Sequence, residues 1–412
     1  VKQPIVHALI MCLLPISVLA NEPIKIGLNF PRTGNYKAEG LELMQGSLLA
    51  IEHINHNGGV LGRPLQLLSK NSASRAEKAQ RNVDEFFRSE AKMIFGGATS
   101  EEAIAAGRRA RELGLPYFAL LSYANEVTGR EGHRYIFRES NNDWMSAQVL
   151  GEYLSWHMPR QRYHYIISDD TWGLSMEAAL RLATASQDRA KHSFTRLNPV
   201  NASHAEYKQA LIKAQKSQAD ILVLVLQGQN VMHAMRVVHA MGLNNQVQII
   251  IPNLSRTLIQ NLGAQTMTGV IGTQAWTWRV PALENSVKGR AFVKDYTQRY
   301  SEYPGSAAAS AYSVVYQWAD AVQRTHSLDS ESIIKALEDH SYQLLKGPQQ
   351  WRGFDHQNVQ DIYAIRVKSR AEIMQDPLKQ DYFEIIHRMQ GQDAVQSLDD
   401  WQQERGEHLT LD

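Results

Sequence analysis

The sequence predicts an α/β protein of two doubly wound lobes, each a parallel sheet with helices on both faces. Three observations carry this. Short apolar runs alternate with segments whose apolar residues recur on a 3.6-residue period. That alternation calls for parallel strands joined by helical crossovers, which bury both faces of the sheet. The rhythm also runs for about 120 residues, restarts after Asn141, and then runs about as long again, a usual domain size. The whole chain has 412 residues, more than one hydrophobic core commonly serves.

The first apolar run, Ile24–Phe30, reads as a buried strand. Leu41, Met44, Leu48, Ile51 and Ile54 then mark a helix, and Gly58-Gly59 stops it, as glycine does at helix C-termini. A strand near 64–68, a helix over about 75–87 and a strand over 92–96 follow. A helix over about 101–113 and a strand over 115–121 complete the first run. The second run opens with a helix over 143–157, a strand over 163–167 and a helix after Trp172-Gly173. The segment 221–226 (ILVLVL) is the most apolar strand. A helix near 231–241 ends at Gly242, and 248–251 is another strand. Later helices, near 286–300 and 307–325, must return to one of the lobes. A chain that crosses between lobes more than once makes a hinge. The segment after Lys368 reads as an accessory extension on the second lobe.

Residues 1–20 read as a cleaved secretory signal: Lys2, a mainly apolar run, then Val18-Leu19-Ala20 before polar Asn21-Glu22. The run is shorter than the ~20 residues that span a bilayer. Cys12, the sole cysteine, lies inside it after Met11, where a lipidation site wants a small residue. After cleavage no thiol remains for a disulfide, a zinc-thiolate site or a nucleophile. The chain carries 43 Lys+Arg and 42 Asp+Glu. Lys2 alone of these falls in the signal, so the remaining totals are equal. That balance gives no basic field for nucleic acid and no polybasic membrane patch.

The motifs of common catalytic sites are missing from the sequence: there is no G-x-S-x-G, no P-loop and no H-E-x-x-H. His53 and His56 stand three apart on a helix, a spacing that suits a metal, but near its polar end, which favours a solvated surface. Asp169-Asp170 closes a strand and reads as a turn and helix start. Neither pair makes a convincing metal site, and no cofactor is implied. Thr99-Ser100-Glu101-Glu102 opens a helix and supports two compatible readings. One is a capping box between Thr99 and Glu102. The other is an anion site made by free helix N–H groups and the Ser100 hydroxyl. Tyr123, Trp172, Trp276 and Trp278 fall near strand ends, where aromatic side chains wall a ligand crevice when they do not serve the core.

These residues resemble the type I periplasmic binding proteins of the leucine/isoleucine/valine-binding class, from residue 24 to about 368. The markers are Thr33-Gly34 after the first strand and NHNGGVLG at 55–62, which matches N-x-x-GG-x-x-G. Further markers are the turn at 96–100, SYANEVT at 122–128, Trp172-Gly173, Gly242-Leu243 and Pro252-Asn253. The resemblance implies two lobes joined by a three-strand hinge, divided as 21–141 plus 276–353 and 142–275 plus 354–412. It implies a monomeric periplasmic receptor that closes on a small solute and delivers it to the membrane permease of an ABC importer, and no enzyme activity. The alternative is a sensor acting through a membrane partner.

The family's ligand-binding positions fall on Ser100, Leu121, Ser122, Tyr123, Trp172, Gln227 and Asn253. Ser100 corresponds to the serine that receives the ligand carboxylate. Asn253 stands where the family has the acid that pairs with the ligand ammonium. Loss of that charge costs of order 3–5 kcal/mol for a buried ammonium. The expected ligand is therefore a carboxylate, an amide or an aromatic acid rather than an ordinary α-amino acid, unless Glu101, Glu102 or Asp170 supplies the missing charge.

Overall fold

The computed structural model describes residues 22–406 and 408–411. The expected signal segment and Cys12 lie outside them. Five strands form the first sheet: β1 (Ile24–Phe30), β2 (Leu65–Asn71), β3 (Ile94–Gly96), β4 (Tyr117–Ala119) and β5 (Ile136–Arg138). Their order is β2-β1-β3-β4-β5 and every pair is parallel. The second sheet is built on β6 (Tyr163–Ser168), β7 (Ser193–Leu197), β8 (Ile221–Val225), β9 (Gln248–Ile251) and β10 (Ile271–Gln274), again all parallel. A small antiparallel sheet holds β11 (Ser341–Tyr342), β12 (Gln349–Trp351) and β13 (Asn358–Val359). Finally β14 (Ile362–Val367) and β15 (Phe383–Met389) add antiparallel to β10, giving the order β15-β14-β10-β9-β8-β6-β7.

Burial follows the chemistry of each strand. All five residues of β8, ILVLV, are buried because helices cover both faces of the parallel sheet. The edge strand β15 carries His387 and Arg388 and stays half exposed. The helix Lys37–His56 forms as expected, but its buried face is displaced from the one expected. Leu41 and Leu48 are 56% and 40% exposed, while Leu43, Gly46, Ser47, Ala50 and Ile54 are buried. The helix packs on two partners, the sheet and the helix Ser306–Thr325, so its buried stripe is broad. Gly46 permits the closest approach. A Cβ there would lie 2.1 Å from the Ala308 carbonyl oxygen.

As far as β14 the chain passes between the sheets three times: after β5, after β10 and between β13 and β14. Hydrogen bonds knit these crossings together. The Gln357 side chain donates to Ser140 O at 2.8 Å. Gln360 donates to Glu139 O. The buried Lys346 ammonium donates to Ala275 O at 2.6 Å and to the Gln360 side chain. The final segment departs from expectation. β15 does extend the second sheet, but the helix Leu398–Arg405 docks beside the first. Trp401, 1% exposed, donates to Thr128 O at 2.8 Å, and Arg405 donates to the carbonyls of Gly129 and Gly132.

Candidate functional site: a cleft between the two sheets

In open parallel sheets, ligands bind beyond the strand carboxyl ends, where neighbouring chain connections diverge. Both sheets direct those ends at one cleft of about 510 Å³. The loop after β1 contributes Tyr36 and the first turn of the helix Lys37–His56 contributes Glu39, the loop after β4 contributes Leu121 and Tyr123, and the turn before the helix Ser306–Thr325 contributes Tyr303. From the second sheet, Gln227 follows β8, Asn253 and Arg256 follow β9, and Trp276 follows β10.

Polar contacts hold the two walls together. The Tyr36 hydroxyl donates to Gln227 Oε1 at 2.9 Å. The Ser255 hydroxyl meets Glu39 Oε1 at 3.4 Å. The Arg256 guanidinium donates to Glu42 Oε1 at 2.5 Å, to Tyr303 O at 2.7 Å and to the Glu302 carboxylate. Burial alone would lower the pKa of Arg256, but the adjoining Glu42 and Glu302 outweigh it and hold the pKa above its usual range. The backbone N–H of Thr171 donates to Glu101 Oε1 at 3.2 Å. The lobes are therefore closed on each other.

The expected site residues divide into two groups. Leu121, Tyr123, Gln227 and Asn253 line the cleft together. Ser100, Ser122 and Trp172 lie behind its wall. Ser100 Oγ accepts the Ala124 N–H at 3.1 Å, and the Ser122 hydroxyl donates to Thr99 O at 3.1 Å. Trp172 is buried, 4% exposed, in an apolar cluster with Tyr123 at its edge. The helix start at Thr99 is capped internally: Thr99 Oγ1 accepts the Glu102 N–H, and the Glu102 carboxylate accepts the Ala98 N–H. Asp170 caps the next lobe's helix through the Gly173 N–H and takes the Ser168 hydroxyl. Glu101, Glu102 and Asp170 are thus all engaged, and none of them lines the cleft.

Asn253 sits in the left-handed backbone region, φ 52°. Its Oδ1 accepts from Ser146 Oγ at 3.0 Å and from Asn141 Nδ2 at 3.1 Å, while Nδ2 has no partner. The acceptor face is used up by the protein's own donors, so an ammonium finds no lone pair there.

Sequence reasoning missed Glu39, Arg256 and Asp381. Glu39 is in the first turn of a helix that follows β1. Its position beyond a strand end was the one available signal. Burial raises its carboxyl to about 7, and the charge of Glu42 adds to this, against hydrogen bonds from its own N–H and from Ser255 and Thr257. Asp381 lines the cleft just before β15. Burial would raise its pKa, but bonds from Arg279 and Lys368 hold it below the usual range. His53, weighed above as a metal ligand, instead meets the Tyr312 hydroxyl at 2.9 Å. No His, Asp and Glu grouping suited to a metal occurs among the described residues.

Comparison with known proteins agrees with this geometry. The Leu/Ile/Val-binding protein homolog 8 of Brucella abortus is 32% identical over 118 residues, an alignment that spans only 28% of either chain. The leucine-, isoleucine-, valine-, threonine-, and alanine-binding protein of Pseudomonas aeruginosa is 21% identical over 332 residues, 80% of this chain and 86% of that one. A periplasmic binding protein of Burkholderia mallei shares the fold with a TM-score of 0.80 at 20% identity, over 91% of this chain and 96% of that one. The family model for periplasmic binding proteins matches residues 23–372. The chain belongs to the periplasmic binding protein family.

Proposed function

We propose that the protein is the periplasmic receptor of an ABC importer. It captures a small organic solute by hinge closure and presents it to the membrane permease, as a monomer and without a cofactor or enzymatic turnover. The observation that carries this is the cleft itself. Its volume of about 510 Å³ falls in the range of roughly 300–1,000 Å³ that holds drug-sized ligands. It lies between two lobes joined only by hinge crossings and the tail. The solute is amino-acid-like, a carboxylate or an amide; the name of the Pseudomonas aeruginosa relative, a leucine-, isoleucine-, valine-, threonine-, and alanine-binding protein, supports the first of these.

We assign residues 22–141 and 276–359 to one lobe and 142–275 and 360–394 to the other. The third crossing is put after β13 rather than at 353, because the backbone N–H of Arg138 donates to His356 O at 3.0 Å, beside the first sheet. Leu121, Tyr123, Gln227 and Asn253 contact the solute. Ser100, Ser122 and Trp172 fix the wall from behind.

The test is a thermal-shift screen with amino acids, amides, carboxylates and amines, followed by calorimetry. A ligand specific to the folded state raises the melting temperature by mass action. Uptake of the identified solute should vanish when the gene is deleted. If no solute stabilises the protein, the receptor reading fails.

A further inference from the structure

Of the acids that line the cleft, Glu39 alone is left without a cation. Glu42 pairs with Arg256, and Asp381 pairs with Arg279 and Lys368. Among the described residues no ion pair reaches Glu39, which takes hydrogen bonds from the Ser255 hydroxyl, at 3.4 Å, and from Thr257. Withdrawing a carboxylate from water without a cation is costly, and this one, half-buried, sits on the face of a ligand-sized cavity. The opposite wall has lost its own anionic group, because Asn253 brings no charge and its Oδ1 is already occupied. The surrounding walls are aromatic, with Tyr36, Tyr123 and Trp276. Aromatic faces attract cations and also cover an apolar body.

We infer that Glu39 is the ionic anchor of the cleft, receiving the ammonium of an amine whose apolar body lies against the aromatic walls. This rests on the cleft-binding reading above and assigns the cleft an amine in place of a carboxylate or an amide. The anionic group stands on the first lobe, so the amine is gripped by the lobe that carries β1. An α-amino acid posed with its ammonium at residue 253 gains no ion pair there.

The other charges near Glu39 are paired or exposed. Lys37 and Glu42 come from its own helix, Arg256 from the helix Arg256–Leu262, Glu302 from the turn before Tyr303, and Asp381 from the segment before β15. Arg32 and Lys37 are exposed, and Arg256 pairs with both Glu42 and Glu302, one positive charge shared by two carboxylates. Tyr36, Tyr123, Tyr303 and Tyr382 complete the titratable neighbours. With Glu39 raised to about 7, an amine that binds its ionised form must displace a proton. Binding therefore tightens as pH rises from 6 to 8, while an alkylamine stays protonated.

The experiment is isothermal titration of the secreted protein with 2-phenylethylamine, its isostere 2-phenylethanol and 3-phenylpropionate, extended to aliphatic amines and diamines. The expected result is at least tenfold tighter binding of an amine than of the matched alcohol. The amine's affinity should increase between pH 6 and 8, with proton release visible as buffer-dependent heat. Glu39→Gln should erase the preference and the pH dependence, and Glu39→Asp should retain a weakened preference. The inference is overturned if Glu39→Gln binds the amine as the unaltered protein does. It is also overturned if no amine binds while a carboxylate or amide does, an outcome that leaves the receptor reading intact. If no solute of any class binds, both readings are lost.

Discussion

At residue 253 a backbone at φ 52° meets a side chain that the lobe already holds through Asn141 and Ser146. Asn and Asp both tolerate this left-handed conformation, whereas most residues pay roughly 1–2 kcal/mol. Asn253→Asp should therefore fold, keep its two donors, and set a charged oxygen where Nδ2 now lacks a partner. The expected gain for neutral α-amino acids is at least tenfold in Kd by calorimetry, a fraction of the ~3–5 kcal/mol that a buried pair is worth. Unchanged affinity would mean that ligand ammonium groups never approach this wall. Glu39 gives a second prediction at the same scale. Its folded pKa of about 7 lies above the ordinary 4.5, so the native state holds a proton that the unfolded chain gives up. Stability is full below about 4.5 and declines as pH rises to about 7. Glu39→Gln should flatten that decline and be more stable than the unaltered protein at pH 8, by about 2 kcal/mol after allowing for partial exposure. Equal urea midpoints for the two proteins at pH 8 would contradict this.

Elements repeat the same contrast between what is local and what is distant. Strands β1 and β9 fall where their apolar runs predict, because a parallel strand buried on both faces needs little beyond such a run. β5 was not recognised: it is three residues, Ile-Phe-Arg, with Arg138 buried against the carbonyl of Ala124 and the side chain of Gln357. β10 was given no bounds in the sequence, because Gly272, Thr273 and Gln274 interrupt any apolar run and only the neighbouring strands supply their partners. Leu121, Tyr123, Gln227 and Asn253 came from the family resemblance, and each follows an apolar strand whose end the fold directs at the crevice. Arg256 was not legible, since its partner Glu42 is 214 positions away and no local pattern records that pairing. The hinge has the same character. Lys346 joins the second crossing at Ala275 to the third at Gln360, and its charge lies near buried Glu139. Lys346→Met removes both bonds and leaves Glu139 without a cation. The expected loss is about 3 kcal/mol of unfolding free energy, in line with breaking a buried pair, measured by urea titration. A loss under about 0.5 kcal/mol, as at an ordinary surface site, would show that the backbone bonds alone hold the hinge.

For the whole molecule, closure is opposed or favoured by contacts in two places. The tail reaches both lobes: β15 pairs with β14, and Trp401 and Arg405 grip the 128–132 turn. Opening about the hinge must bend the segment 390–397 or release that helix, so the tail limits the swing. Arg256 acts at the mouth, where one guanidinium from the second lobe bonds Glu42, Glu302 and Tyr303 O of the first. Removing it leaves Glu42 buried without a cation when the lobes are closed, but hydrated when they part. Arg256→Ala should therefore favour the open form. A ligand that binds only the closed form then loses affinity in proportion to the closed fraction. A tenfold weaker Kd corresponds to about 1.4 kcal/mol, well within the cost of breaking a buried pair. Small-angle scattering without ligand should give a larger radius of gyration for Arg256→Ala, and saturating solute should bring it back to that of the unaltered protein. Replacing Glu42 by Gln as well should recover part of the closure, because the acid left unpaired is what drives the lobes apart. Identical scattering curves for Arg256→Ala and the unaltered protein, with affinity unchanged, would show that the cross-cleft pair is incidental to closure.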